Sequence, residues 1–216
     1  MLTQADGCVI QGLTRCWENE LQIDIKEMKN VVENIRKKNT RVREMRRKIL
    51  HKWYHTPVHL AHFQKYVKGT CWHGCQNRGV FMHMLWECGV VQKFWKEVQE
   101  EIKKMLNISW TIRKEMAVLV KRSILGEFSE IKEAAIESAQ AVIVLGWKDA
   151  TKWTTQNWYR YMVDHIQFEI MEIKVNMFDE NKLQELMGRW DRVRGYMTSR
   201  IRDQGTKNKL ESLYSI

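Results

Sequence analysis

The chain has 216 residues, of which 44% are hydrophobic, and it carries a net charge of +10. This length is sufficient to bury a core in one large domain or two small ones. One proline and eleven glycines are too few for the many tight turns of a β-sandwich or barrel, so the composition excludes those classes and favours an all-α fold.

Residues 1–16 are predicted to form an N-terminal leader. They have neither the charged region nor the apolar run of a secretory signal peptide, and the longest apolar run, residues 141–147, is too short to cross a bilayer. Because five cysteines occur without a secretion signal, the sequence favours reduced thiols over a disulfide framework. We expect a nuclear or cytoplasmic protein with no membrane partner.

Residues 17–66 are predicted to form a basic helical segment. Apolar residues recur at helical spacing, with an interruption at Asn39 and Thr40 and an end near Thr56, because Pro57 disfavours helix at the residue before it. Residues 31–70 contain eleven basic and two acidic side chains, so nearly all of the excess charge lies there. A local block of positive charge indicates a polyanionic partner.

The predicted phosphate contacts lie between Arg36 and Lys52, where Glu44 is the only acidic side chain. A basic helix face that is merely solvated remains the alternative. Trp53 continues the apolar stripe and is expected in the core, although its ring also offers a surface on which a base can stack. The residues predicted to bind nucleic acid are Arg36, Lys37, Lys38, Arg41, Arg43, Arg46, Arg47, Lys48 and Lys52.

The histidines of this segment do not form a convincing metal site. Pro57 interrupts their helical face and no carboxylate lies among them. We interpret them as solvated or phosphate-contacting side chains: His51, His55, His59 and His62.

Residues 67–110 are predicted to contain a zinc knuckle and the helix that follows it. The sequence CWHGCQNRGVFMHMLWEC at 71–88 has the spacing Cys-x3-Cys-x7-His-x4-Cys. Zinc prefers four thiolate or imidazole ligands in a tetrahedron, and a short turn between cysteines supplies two of them together. Four protein ligands leave no position for water, so the predicted Zn²⁺ is structural. The predicted ligands are Cys71, Cys75, His83 and Cys88.

Other interpretations of these residues remain open. Buried thiols with a core histidine need no metal, and His73 competes with His83 as a ligand. Gly74 eases the first turn, and Gly79 is predicted to take the positive φ of a tight reversal near a small hairpin at 78–79. The neighbouring aromatic residues are assigned to the core: Trp86, Phe94 and Trp95.

Residues 111–202 are predicted to form a C-terminal helical region, and residues 203–216 a frayed polar tail. The predicted helices of this region span residues 116–125, 128–145, 158–177 and 183–201. The whole chain is therefore expected to be a helical array with one small zinc knuckle between helices.

Catalytic sequence patterns are absent. The chain has no adjacent pair of aspartates, no phosphate-binding G-x-x-x-x-G-K-[ST] loop, no G-x-S-x-G elbow and no H-E-x-x-H helix. We therefore expect a protein that is not an enzyme.

Several segments together resemble the zinc-binding C-terminal region of the reverse-transcriptase polyproteins of non-LTR (LINE-type) retrotransposons. The similar segments are KILHKWYHTP at 48–57, Cys71-Trp72, Cys75, Gly79, HMLWEC at 83–88 and FWKEV at 94–98. Weaker similarity extends to RCWENELQIDI at 15–25, and to Trp147-Lys148 followed by Trp158. The chain departs from the family at Gly89, where proline is common, and by lacking a proline between residues 147 and 158.

The resemblance implies the same four zinc ligands and a role in binding the element's RNA during reverse transcription. It also implies a stand-alone truncated copy, because the paired aspartates of the polymerase have no counterpart. We predict a non-catalytic nucleic-acid-binding module that prefers RNA or single-stranded DNA to duplex DNA. The alternatives are a zinc-stabilised protein-interaction module that uses helices of 111–201, and a translated relic without a selected role.

Overall fold

The structure, a computed structural model, describes residues 4–175 and 179–214. Within these ranges the regular elements are ten α-helices, one π-helical turn and two 3₁₀ turns. The only β-type pairing in the described ranges is an isolated antiparallel bridge between Thr70 and Arg78. The all-α prediction is therefore confirmed.

The α-helices, in chain order, are α1 (Gln4–Leu21), α2 (Ile25–Arg36), α3 (Thr40–Leu50), α4 (Pro57–Phe63), α5 (Gly89–Leu106), α6 (Lys114–Leu119), α7 (Ser129–Leu145), α8 (Thr155–Val175), α9 (Glu180–Arg200) and α10 (Gln204–Ser212). The π-helical turn (His83–Glu87) lies directly before α5, and the 3₁₀ turns are Arg122–Ile124 and Ala150–Lys152.

The predicted interruption at Asn39 and Thr40 is confirmed and has a local cause. Asn39 caps α3 by accepting a hydrogen bond from the Val42 backbone N–H at 3.1 Å. The helix ends at Leu50, earlier than predicted, and Thr56 instead caps the next helix, in which Pro57 occupies the first position.

Both ends of the chain are more ordered than the sequence suggested. In α1, Leu13 and Trp17 are buried, and the Trp17 indole N–H donates to the Leu50 carbonyl at 2.8 Å. In α10, which was predicted to be a frayed tail, Leu210 is buried, as is Leu213 directly after the helix. The parts of both predictions that concern residues 1–3 and 215–216 lie outside the described residues.

Every side chain from 131 to 140 is buried, which places α7 at the centre of the fold. Helix α8 crosses it, and the Trp158 indole N–H donates to the Ala135 carbonyl at 2.8 Å. Helix α6 ends at Leu119, earlier than predicted, where Val120 takes a left-handed conformation. The predicted end of α8 at 177 lies outside the described residues.

One hydrophobic core runs through the predicted segments, from Ile10 to Leu213. None of the described helices has the length and apolar character required to span a membrane.

Candidate metal centre and basic surface

The first two cysteines lie on a tight reversal of the chain. The Cys71 backbone N–H donates to the Asn77 carbonyl at 2.8 Å, and the Gly79 N–H donates to Gly69 at 2.9 Å. Between the two cysteines, Gly74 has a φ of +81°, a backbone conformation that glycine adopts without steric strain. The predicted role of Gly74 is thus observed. Instead of a small hairpin at 78–79, the described chain has a reversal between Thr70 and Arg78, which form an isolated antiparallel bridge.

Gly79 has a different role from the one predicted. Its φ is not positive, but a Cβ atom at this position would lie 2.4 Å from Cγ of Pro57. The Val58 backbone N–H also donates to the Gly79 carbonyl at 3.3 Å. Glycine is therefore required by the close approach of α4, which fastens that helix to the reversal.

The other two candidate ligands lie at the ends of the π-helical turn. The Cys88 backbone N–H donates to the His83 carbonyl at 2.9 Å, which closes this wider turn. The Trp95 indole N–H holds the turn against α5 by donating to the Leu85 carbonyl at 3.1 Å. Cys88 is also the residue from which α5 begins.

The four candidate ligand atoms of Cys71, Cys75, His83 and Cys88 all lie within 4.8 Å of one another. The Sγ atoms of Cys71 and Cys88 are 3.9 Å apart, and Cys75 Sγ is 3.1 Å from His83 Nε2. A tetrahedral zinc ion would require about 3.8 Å between sulfurs and about 3.5 Å between sulfur and nitrogen. A disulfide would require about 2.0 Å. The residues predicted from the spacing therefore form a cluster with the size and donors of a metal site.

His73, the competing candidate, lies outside this cluster. Its Nε2 is 3.2 Å from the Trp147 carbonyl, and its ring packs edge-on against Trp153 with centroids 4.7 Å apart. The geometry therefore favours His83 as the fourth ligand.

No family model matches the chain.

Burial and hydrogen bonds shift the pKa values of two candidate ligand thiols in opposite directions. Burial, reinforced by the neighbouring Cys75 and Cys88, raises the pKa of the Cys71 thiol to about 12 in the metal-free chain. Burial acts in the same sense on Cys75, but hydrogen bonds, beginning with that from the Asn77 backbone, lower its pKa overall. A metal ligand must be a thiolate, so metal binding at this cluster would have to displace the proton of the Cys71 thiol.

Trp147 joins the knuckle to the rest of the chain. Its indole N–H donates to the His55 carbonyl at 2.7 Å, and its ring packs against Tyr54 and Phe81 with centroids 5.5 and 5.8 Å apart. The next residue, Lys148, lies 4.9 Å above the centre of the Trp72 ring. The predicted core residues around the turn also pack inward: Trp86, Phe94 and Trp95.

Arg46, predicted to contact nucleic acid, is instead buried, with 3% of its surface exposed. Its guanidinium donates to Glu137 Oε1 at 2.9 Å and to the Leu119 carbonyl at 2.8 Å, and it lies 3.5 Å from Glu133. Lys38 joins the same group, 3.1 Å from Glu133 and 3.3 Å from Glu137. The prediction is wrong for Arg46, because a buried pair of glutamates on α7 requires compensating charge.

Lys52 also contacts the protein itself. Its Nζ lies 3.0 Å from Glu20 and 4.3 Å above the Trp17 ring, and it donates to the Cys16 carbonyl. These contacts link α1 to the chain beyond α3.

The other predicted cations lie at or near the surface. Arg41 pairs with Asp164 and Arg47 with Glu44, at 3.3 and 3.2 Å. Both arginines and Glu44 are about half exposed, whereas Asp164 is 20% exposed. Exposed ion pairs contribute at most about 1 kcal/mol. Arg43 is partly buried beside Thr40. The exposed remainder of the predicted set is Arg36, Lys37 and Lys48.

The prediction that Trp53 packs in the core is wrong. Its side chain is 59% exposed and stacks on His51, with ring centroids 4.7 Å apart and planes 24° apart. The apolar stripe was extrapolated past Leu50, where α3 ends. Beyond that residue, helical spacing no longer determines which side of the chain faces inward.

Proposed function

We propose that the chain is a non-catalytic nucleic-acid-binding module held in shape by one structural zinc ion, and that it derives from the C-terminal region of a LINE-type reverse-transcriptase polyprotein. The observation that carries the proposal is the convergence of the ligand atoms of Cys71, Cys75, His83 and Cys88. This cluster directly follows the segment in which most of the positive charge is concentrated.

The zinc ion would connect the surface to the core. Cys71 and Cys75 lie on the reversal, whose residues 76–78 are exposed, whereas Cys88 directly precedes α5, whose Val91 and Trp95 are buried. Through the contact between Gly79 and Pro57, the reversal also positions α4. Four protein ligands would leave no coordination position for a substrate or water, which supports a structural rather than a catalytic ion.

The nucleic-acid contact would be made mainly with phosphates. Arg41, Arg47 and Lys48 are exposed on α3, and Lys37 is exposed directly before it. Contacts between these side chains and phosphates carry no base information, so sequence preference should be weak. If about four phosphates are contacted, log affinity should fall with log salt with a slope of about −2.8 on single strands.

The test is the affinity of the purified, zinc-loaded chain for labelled RNA, single-stranded DNA and duplex DNA, measured over a salt series. We expect steep salt dependence. The variant Arg41→Gln/Arg47→Gln/Lys48→Gln should have a slope that is shallower by up to about 2 on single strands. Absence of binding at low salt, or binding that is independent of salt, would refute the proposed function.

A second candidate, a protein-interaction module, is favoured by one specific feature. A cavity of about 350 Å³ lies between α3, α7 and α8, and its apolar lining includes Val144, Tyr161 and Phe168. Leu145 at its edge is 60% exposed. If this groove is the functional surface, Leu145→Asp should abolish binding of a partner protein, whereas the salt slope for nucleic acid should not change.

A further inference from the structure

Exposed aromatic rings are concentrated in one short stretch between α3 and the knuckle. Trp53, Phe63 and Tyr66 are 59%, 76% and 100% exposed. In the described part of the chain, each is the only residue of its type that is exposed; the other tryptophans, phenylalanines and tyrosines there are buried or half-buried. Large rings are usually at least partly buried, so three of them at the surface within residues 53–66 are an unusual concentration.

Five exposed rings of this stretch are together called the ring surface: Trp53, His55, His59, Phe63 and Tyr66. Successive ring centroids of His55, His59 and Phe63 are 5.2 Å apart, so these three side chains form a row that begins just before α4 and continues along it. Tyr54 packs inward against Trp147, whereas its two neighbours, Trp53 and His55, are exposed. The core contact of Tyr54 thus turns both neighbouring rings outward.

The charge around the ring surface has a single sign. No aspartate or glutamate occurs in the sequence between Glu44 and Glu87. Within this stretch Lys48, Lys65 and Lys68 are exposed. A ligand of this surface must therefore combine flat apolar groups with negative charge.

Unpaired nucleotides have this combination, because each has a base with two flat faces and a phosphate. In a duplex the base faces are covered by neighbouring base pairs and are not available for stacking. An anionic membrane would also meet positive charge, but it accepts aliphatic side chains as readily as rings. From residue 51 to residue 68 the exposed apolar side chains are all aromatic.

We propose that the ring surface is a base-stacking site for unpaired nucleotides, with bases on Trp53, Phe63 and Tyr66 and phosphates on Lys65 and Lys68. This inference rests on the proposed nucleic-acid function and adds a second contact region to the basic face of α3. Base stacking on an aromatic side chain tolerates any base and changes affinity by about fivefold to a hundredfold for each ring.

The experiment uses the full-length, zinc-loaded chain and a fluorescent oligouridylate. Trp53→Ala, Phe63→Ala and Tyr66→Ala should each weaken binding by about fivefold to a hundredfold without changing the salt slope. Phe63→Tyr keeps the flat ring and should bind like the unmodified chain. Val175→Ala, which shortens another highly exposed apolar side chain, is the matched control and should have no effect.

The charged part of the site is tested separately. Lys65→Gln/Lys68→Gln should make the salt slope shallower by up to about 1.4 on single strands. Circular dichroism melting curves of all variants should match that of the unmodified chain, because the changed side chains are exposed.

Each contrary outcome has a distinct meaning. Undiminished oligouridylate binding by the alanine variants, with binding lost in the α3 glutamine variant, would overturn the ring surface but preserve the proposed function. Equal affinity of the unmodified chain for duplex and single-stranded oligonucleotides would also overturn the ring-surface proposal. It would likewise be overturned if the alanine variants lost binding to anionic lipid vesicles but kept their affinity for oligouridylate. No oligonucleotide binding by the unmodified chain at low salt would overturn both proposals.

Discussion

Arg46 and Arg47 are adjacent in the sequence, but their replacement by glutamine should have opposite consequences. The Arg46 side chain is 2% exposed, and its guanidinium lies against Glu133 and Glu137, whereas that of Arg47 is half exposed beside Glu44. Removing Arg46 leaves two buried carboxylates whose nearest cation is Lys38, at 3.1 and 3.3 Å, with Arg122 3.8 Å from Glu133. Loss of one partner from a buried ion pair costs about 3–5 kcal/mol.

The free energy of unfolding should therefore fall by about 3–5 kcal/mol in Arg46→Gln, a large part of the 5–15 kcal/mol that is typical of a domain. In Arg47→Gln it should change by less than about 0.5 kcal/mol. Urea unfolding followed by tryptophan fluorescence measures both values. The double variant Arg46→Met/Glu137→Leu should lose less stability than the two single changes together, because the buried charges are removed as a pair.

The nucleic-acid assay provides the complementary measurement. Arg47→Gln should make the salt slope shallower, whereas Arg46→Gln, under conditions in which it remains folded, should leave the slope unchanged. If the free energy of unfolding fell by less than about 1 kcal/mol in Arg46→Gln, or if the salt slope became shallower in that variant, Arg46 would not be the buried partner of Glu133 and Glu137.

Three further predictions concern pH, zinc and packing. Burial opposes the charge of His165, but Glu169 and Glu137 raise the pKa of its imidazole above 6.5 overall. The stability contributed by the protonated imidazole should be complete below pH 6.5 and lost as pH rises through the folded-state pKa. Urea titrations at several pH values should no longer show this dependence in His165→Gln. Metal analysis should find one zinc per chain and none in Cys75→Ser/Cys88→Ser, and zinc affinity should weaken as pH falls, because binding displaces thiol protons; full occupancy in the double variant would contradict the ligand assignment. Gly79→Ala should lower the free energy of unfolding by about 1–3 kcal/mol, since its Cβ would meet the proline ring of α4, and an unchanged melting temperature would argue against that contact.

Features determined by neighbouring residues were predictable from the sequence. The cap at Asn39 and the four ligands within 71–88 depend on side chains a few positions apart, so their spacing indicated the geometry. Arg46 was different, because its partner Glu137 is 91 positions away. Helical periodicity places Arg46 beside the apolar stripe of α3 but does not reveal a buried carboxylate from another helix.

Two other failures concern the ends of regular structure. The outward turn of Trp53 depends on where α3 stops and on the contact between Tyr54 and Trp147. Helix α10 and the residue after it bury few apolar side chains, chiefly Leu210 and Leu213. Because this pattern is short, the polar composition of the tail concealed the helix.

The contact between Trp147 and His55 has a consequence for modularity. A zinc finger that folds as an isolated peptide encloses its own small core, but here the indole that packs on Phe81 comes from beyond the end of α7. A peptide limited to residues 67–110 would keep all four candidate ligands and lose this covering ring. The knuckle should therefore depend on the C-terminal half of the chain for its packing. If it alone were grafted onto another protein, the ligands would be transferred without the contacts that hold them rigid.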